Sequence, residues 1–283
     1  LFILPNLLGM SLFILFPLLF SLALVFTDWD YMKGIGGLQF SGLDNIIQLF
    51  QDKNVYIALK NNLIFSAATV PAAMLAGLVL AAVLNKFVYL KETIRTIIFL
   101  PYMSSLVAIA VVWRVLYHSS EGPINGTLRS IGIANPPGWL ASPDWALIGI
   151  MIMTVWTAIG YAMVLYMAGL QGVPKDLYEA ADIDGATPFK RFYYITIPML
   201  KPTTFLIAIT LVIGSFQVFG SVQIMTNGGP LNSTLVLALY MYTQAFEYMN
   251  MSYGAAISWL LFVVIFIVTL IQWRGQKKLH DQF

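Results

Sequence analysis

The stretch EAADIDGATPFKRFYYITIPMLKP, Glu179 to Pro202, decides the reading of this chain. It brings Glu179, Asp182, Asp184, Lys190, Arg191 and Lys201 together between two long uncharged runs, 145–174 and 202–246. Most of the remaining sequence is lipid-soluble in character. Of 283 residues, 59% are apolar and only 10% are charged, where a soluble domain carries about 25% charged residues. A deficit spread over the whole length makes lipid the solvent for most of the surface.

Outward from this segment, the other uncharged intervals are 1–27, 61–85, 96–113 and 248–273. A spanning helix needs about 20 mostly apolar residues. The predicted spans are 1–27, 62–85, 96–117, 145–171, 203–225 and 254–274, with Arg114 snorkelling to lengthen the third. The expected fold is an all-α membrane protein with six transmembrane helices in one domain, residues 1–283. The apolar LVLALYMYTQAF after TNGGPLNST is too short to cross and reads as an interfacial or re-entrant helix, with an additional span as the alternative.

Six spans put both ends on one side, and lysine and arginine choose the side. One set of loops holds Lys86, Lys91, Arg95, Lys175, Lys190, Arg191, Lys201, Arg274, Lys277 and Lys278. The other holds only Lys33, Lys53, Lys60, Arg114 and Arg129. Both termini are expected in the cytoplasm, with a further cytoplasmic tail ahead of Leu1. Trp29, Trp139, Trp145 and Tyr117 then fall where an aromatic belt lies. Asn-x-Ser/Thr triplets begin at Asn125, Asn232 and Asn250, all in expected outer segments.

The polar segment, 172–201, is thus a long cytoplasmic loop, and long loops in compact proteins are usually functional. Pro174 suits a helix start before KDLYEAADI. Gly185 permits a sharp turn, and Thr187-Pro188 opens a second helical stretch with Phe189, Phe192 and Tyr193 apolar and Lys190 and Arg191 polar. A helix–turn–helix elbow results. Two uses are open on these grounds: docking in a protein groove, or lying on the inner leaflet beside its own spans.

Composition excludes several classes. Net charge is only +2, without a basic tract for nucleic acid. Cysteine is absent, and His118 and His280 stand far apart, so no metal site or catalytic residue is expected. Coupling to protons or sodium usually employs intramembrane acids or histidine, and no deep acid exists here, against a stand-alone secondary transporter. For a membrane enzyme, Asp28 and Asp30 are the nearest carboxylate pair, and a helix-end role suits them better. No G-x-x-x-x-G-K-S/T loop is present to cradle a nucleotide.

The spacing Glu179-Ala180-Ala181, Asp184-Gly185-Ala186, Phe189, Phe192, Ile195, Ile197-Pro198, Lys201-Pro202 resembles the EAA signature of ABC-importer permeases. FTDWDY after span one, FLPYMSSLVAIAVVWRVLY with GPIN after it, and TNGGP resemble its carbohydrate, maltose-type branch, from Leu1 to Lys278. The sequence departs from the best-known maltose permease in lacking a large inserted outer domain and additional N-terminal spans. The resemblance implies an inner-membrane subunit paired with a second, related permease and two ATPase subunits, which hold the ATP and magnesium. An extracytoplasmic binding protein would deliver the sugar. It makes Glu179 the charged contact with the ATPase, Ala180 and Ala181 the close-packed face, and Gly185 the turn, with Asp184 and Phe189 in the same motif.

Neutral sugars need aromatic faces and amide or hydroxyl groups near mid-membrane. Thr157 and Tyr161 share a helical face, and Ser215, Gln217 and Phe219 lie near mid-depth of span five. Alignment on the resemblance places Thr154, Thr157, Ala158, Tyr161 and Ser215 at sugar-contact positions, while Leu211 and Val218 replace polar residues, which implies a sugar other than maltose. A polyol or glycerol-phosphate solute is the alternative. A phosphorylated one would want buried Arg or Lys, which the span interiors lack.

Overall fold

The structure, a computed structural model, describes residues 3–86 and 90–280; Leu1, where the first span was expected to start, lies outside them. Four helices are long and apolar enough to cross a membrane unbroken: α1 at Leu4–Leu24, then three longer ones introduced below. After α1 the chain forms a short antiparallel hairpin, β1 (Thr27–Trp29) on β2 (Leu38–Phe40), with Asp28 opposite Gln39. The Asp30 carboxylate accepts the Met32 N–H at 3.1 Å and pairs with Lys33 at 3.0 Å, a helix-end role.

The short amphipathic α2 (Asp44–Gln51) leads into α3 (Lys53–Lys86). Then come α4 (Lys91–Met103) and α5 (Leu106–Leu116), the small α6 (Pro123–Ser130), and the long α7 (Pro143–Gln171). The spans α3 and α7 pack along their lengths, and α7 also packs on α4. Small residues set this closeness. A Cβ on Gly77 would meet the Ala162 Cβ at 2.6 Å, and one on Gly160 would meet the Ile98 carbonyl oxygen at 2.4 Å. Without a hydrophobic force between helices in lipid, such backbone approach is what holds spans together. Around these crossings Met153, Met163 and Met167 are fully buried, so the methionine-rich run fills irregular gaps.

The interval expected as one span, 96–117, is instead two helices bent by 96°. Pro101 lacks an N–H, which removes one ladder bond before the end of α4. Ser104 is extended, and its hydroxyl donates to the Leu100 carbonyl at 2.8 Å, satisfying one of the acceptors the break exposes. Arg114 extends to the Ile224 carbonyl at 3.2 Å.

Beyond α7 come α8 (Lys175–Ile183) and α9 (Pro188–Met199), the latter meeting α10 (Lys201–Phe216) at 63°. The span expected at 203–225 breaks at Gln217–Phe219 and resumes as α11 (Gly220–Met225). LVLALYMYTQAF forms only the short α12 (Leu237–Tyr242) and a following π turn, Thr243–Glu247, before the last span, α13 (Met251–His280). Counting each bent pair as one span gives six. Of the three Asn-x-Ser/Thr triplets, Asn125 is 1% exposed, with its amide donating to the Ser119 and Pro137 carbonyls and accepting from the Trp139 indole, so it is closed to glycosylation.

Candidate functional site

Two regions hold the residues singled out from sequence. The first is the elbow between α8 and α9. Helix α8 ends as its residues demand: Gly185 has φ +70°, the Ala186 N–H reaches the Ala181 carbonyl at 2.9 Å, and the Gly185 N–H reaches that of Asp182 at 3.1 Å. This is a Schellman ending, which glycine supplies without Cβ strain. The Thr187 hydroxyl caps α9 by accepting the Lys190 N–H at 3.4 Å.

The elbow is braced internally by contacts that motif spacing did not foretell. Asp182 on α8 forms an ion pair with Arg191 on α9. The Tyr178 hydroxyl meets the buried Thr196 hydroxyl at 2.9 Å. Polarity on α9 runs opposite to a simple amphipathic reading: Arg191 turns inward, and Phe189 stands 77% exposed. Ile183 on α8 is 87% exposed. Glu179, Ala180 and Asp184 are exposed, and Ala181 is half-buried. The elbow therefore offers apolar side chains, small residues and a carboxylate on an outward face, with Arg191 turned in to its ion pair and Lys190 exposed.

The second region is a half-open cavity of about 250 Å³ bordered by α3, α4, α7 and α10. Thr154, Tyr161 and Ser215 line it together, and so do Ala158, Leu211 and Val218. Tyr102, at the α4–α5 break, also lines it and stacks on Tyr161 with ring centroids 4.9 Å apart. Such stacking is a favoured aromatic pairing and leaves one face of each ring outside the pair. Sequence reasoning passed over Tyr102 because it read this segment as a straight span; Pro101, three residues before the serine pair Ser104-Ser105, was the signal for the break. The Ser215 hydroxyl donates to the Val212 carbonyl at 2.7 Å and meets the Ser66 hydroxyl at 2.8 Å, and Thr154 donates to the Ile150 carbonyl at 2.9 Å. Both oxygens keep acceptor capacity. No charged residue lines this cavity.

Three expected path residues lie elsewhere. Thr157 is turned back on the Thr154 carbonyl at 2.8 Å. Gln217 is exposed at the α10 break, and Phe219 packs on Tyr242 at 5.1 Å. The broken end of α10 redirects both residues away from the cavity. A second hollow, about 450 Å³, lies along α4 and includes Arg95.

The TNGGP loop returns over the end of α10. Asn227 and Gly228 have positive φ, and the Thr234 hydroxyl donates to the Gly229 carbonyl at 2.8 Å while meeting that of Thr226 at 2.8 Å. Two amides of α3, unremarked in the sequence, hold the loop. Asn61 donates to the Leu235 carbonyl at 2.9 Å, and Asn62 accepts the Leu237 N–H at 2.8 Å. Asp52 accepts the hydroxyls of Tyr240 and, at 2.7 Å, Tyr253. Burial, reinforced by the bond to Asp52, pushes the Tyr240 phenol up to about 12. Among the described residues no three His, Cys, Asp or Glu side chains converge as a metal site.

Comparison with known proteins places this geometry. The family described as "Binding-protein-dependent transport system inner membrane component" matches residues 73–278. The lactose transport system permease protein LacF of Rhizobium radiobacter is 40% identical over 285 residues, covering 98% of this chain and 93% of that protein. A bacterial ABC transporter that imports the acidic polysaccharide alginate shares the fold, with TM-score 0.83 and 23% identity over 98% of this chain and 94% of its own. The alginate transporter in complex with an alginate pentasaccharide-bound periplasmic protein superposes with TM-score 0.80, 23% identity, and coverage of 96% and 91%. The chain belongs to the family of binding-protein-dependent transport-system inner membrane components, the permease subunits of ABC importers, and is not itself an enzyme.

Proposed function

We propose that this permease moves a neutral sugar or oligosaccharide across the cytoplasmic membrane, with both termini in the cytoplasm. It works beside a second homologous permease, two ATPase subunits that hold ATP and magnesium, and an extracytoplasmic binding protein that delivers the sugar. The observation that carries this reading is the uncharged cavity with stacked Tyr102 and Tyr161 on one wall and Thr154 and Ser215 hydroxyls beside it. Aromatic faces suit the C–H surfaces of a sugar ring, and hydroxyls suit its hydroxyl groups. A phosphorylated or acidic solute would want a cation in that lining, so the glycerol-phosphate alternative is disfavoured.

The elbow supplies the link to the motor. Ile183 and Phe189 are too exposed for residues that serve only their own fold, and exposed apolar patches rimmed by polar residues mark interaction sites. In this reading Glu179, Ala180, Ala181, Asp184 and Phe189 seat in an ATPase cleft. Closure of two ATPases on ATP then moves the elbow, and α10 behind it, so that the cavity alternates its access.

The test is purification of the tagged chain in mild detergent, followed by ATPase assays with a panel of sugars. Retention of a second six-span permease and a nucleotide-binding subunit, with hydrolysis stimulated by binding protein carrying a neutral sugar, is expected. A chain that purifies alone and moves solute in vesicles without ATP would overturn the proposal.

A further inference from the structure

We propose that α2 lies in the membrane–water boundary as an interfacial anchor, on the side of the TNGGP loop, with Leu43, Ile47 and Phe50 in lipid. At 3.6 residues per turn, this stretch divides into three arcs. Asn45 and Leu49, four residues apart, are 8% and 6% exposed and face the protein. Asp44, Gln48 and Gln51 form an exposed polar arc. Leu43, Ile47 and Phe50 form the third arc, apolar and 55%, 52% and 65% exposed. A surface helix in water needs only an inward arc and a polar arc. A third, apolar arc between them calls for an apolar solvent at one flank.

Two observations make that solvent the bilayer. The first is depth. The Asn45 amide donates to the carbonyls of Val25 and Thr27, both at 2.9 Å, and these residues directly follow α1. That fixes α2 at the level where the first span ends. Asp52, just past α2, accepts the Tyr253 hydroxyl at the start of the last span. The second is continuity. The Tyr56 hydroxyl donates to the Phe50 carbonyl at 2.9 Å, and exposed Tyr56, Ile57, Leu63 and Ile64 carry the apolar surface from Phe50 down α3. Exposed Lys53 and Lys60 lie on this same face of α3, Lys53 at its start and Lys60 one turn on from Tyr56. Long lysine side chains near the end of a span reach up to the interface, which puts this part of α3 at the edge of the bilayer. The side of the helix is settled too: Asn232 of the TNGGP loop donates to Asn54 at 3.1 Å.

The chain has no cysteine of its own, so each substitution gives it a single labelling site. Ile47→Cys and Phe50→Cys, with Asp44→Cys and Gln48→Cys as references, would be spin-labelled in the intact transporter in phosphatidylcholine–phosphatidylglycerol vesicles. Relaxation by oxygen and by a water-soluble nickel chelate is then compared, without binding protein. Labels at 47 and 50 should be reached by oxygen and shielded from nickel, with the opposite pattern at 44 and 48. Leu43→Cys supplies a third lipid-side position should either of the first two fail to assemble. Nickel reaching 47 and 50 as freely as 44 and 48 would overturn the proposal. So would exclusion of both reagents, which would place the arc under another subunit, or shielding that arises only when binding protein is added. The pattern is read without ATP, sugar or binding protein, so it stands or fails separately from the transport reading.

Discussion

Asn62 of α3 accepts the Leu237 N–H at 2.8 Å and donates its own amide to the Phe216 carbonyl at 3.2 Å. Phe216 ends α10 and Leu237 begins α12, so one fully buried carboxamide joins two chain ends that have no helical partner of their own. Asn62→Leu keeps the γ-branched shape and leaves a buried donor and a buried acceptor unpaired, at about 1–3 kcal/mol each. The thermal midpoint of the detergent-purified complex should fall by several degrees. Melting at the wild-type temperature would mean that water or a relaxed loop replaces the amide.

Gly185 has φ +70° with open space around its Cα hydrogen. Substitution there tests backbone conformation rather than volume. Asparagine tolerates this region, whereas a β-branched residue is strained by about 1–2 kcal/mol. Gly185→Asn should transport normally, and Gly185→Val should hydrolyse ATP with little uptake. The two rates are measured side by side in proteoliposomes. Normal uptake by the valine variant would show that the elbow transmits motion without this turn.

The Asp182–Arg191 pair spans that same turn, with the Arg191 side chain 20% exposed and that of Asp182 57% exposed. As an ion pair near the surface it is worth under about 1 kcal/mol of stability, so its expected effect is on coupling. Asp182→Arg and Arg191→Asp alone should each lower the sugar moved per ATP severalfold, and the double reversal should restore much of it. A double variant no better than the singles would make the pair incidental.

What the sequence made legible follows from physical period and composition. Charge gaps located the spans because lipid excludes charge, and Gly185 with Thr187-Pro188 marked the elbow because helix ends have their own chemistry. Breaks within apolar stretches were not legible. Pro101 and Ser104 bend α4 away from α5, and the end of α10 redirects Gln217 and Phe219, yet neither event changes hydropathy. Tyr102 was missed for that reason. Asn61, Asn62 and Asp52 were missed because their partners are backbone groups and hydroxyls about 150 or more residues away, and no local pattern announces such contacts.

The Tyr240 phenol is raised from the ordinary value of 10.0 to about 12, chiefly by burial and then by its bond to Asp52. A group held protonated more tightly in the folded state than in the unfolded one contributes stability that is fully present below pH 10 and is lost as pH rises towards 12. The wild-type complex should therefore lose thermal stability across that window more steeply than Tyr240→Phe, which has no phenol to ionise. Parallel melting curves at increasing alkalinity check this; identical slopes for the two proteins would remove Tyr240 from the alkaline transition.

Tyr102 and Tyr161 stack on one wall of the cavity with their rings 24° from parallel. If their faces receive the sugar, aromatic character matters more than either hydroxyl. Tyr102→Phe and Tyr161→Phe should transport at close to the normal rate. Tyr102→Ala and Tyr161→Ala should each weaken apparent sugar affinity or transport by about 1 kcal/mol, roughly fivefold. The double alanine variant should lose less than the product of the two, because each ring depends on the other for its position. Transport is measured as sugar uptake at several concentrations, normalised to transporter in the membrane. Alanine variants that transport like wild type would mean that the sugar passes elsewhere and that the stack serves only to pin the α4–α5 break against α7.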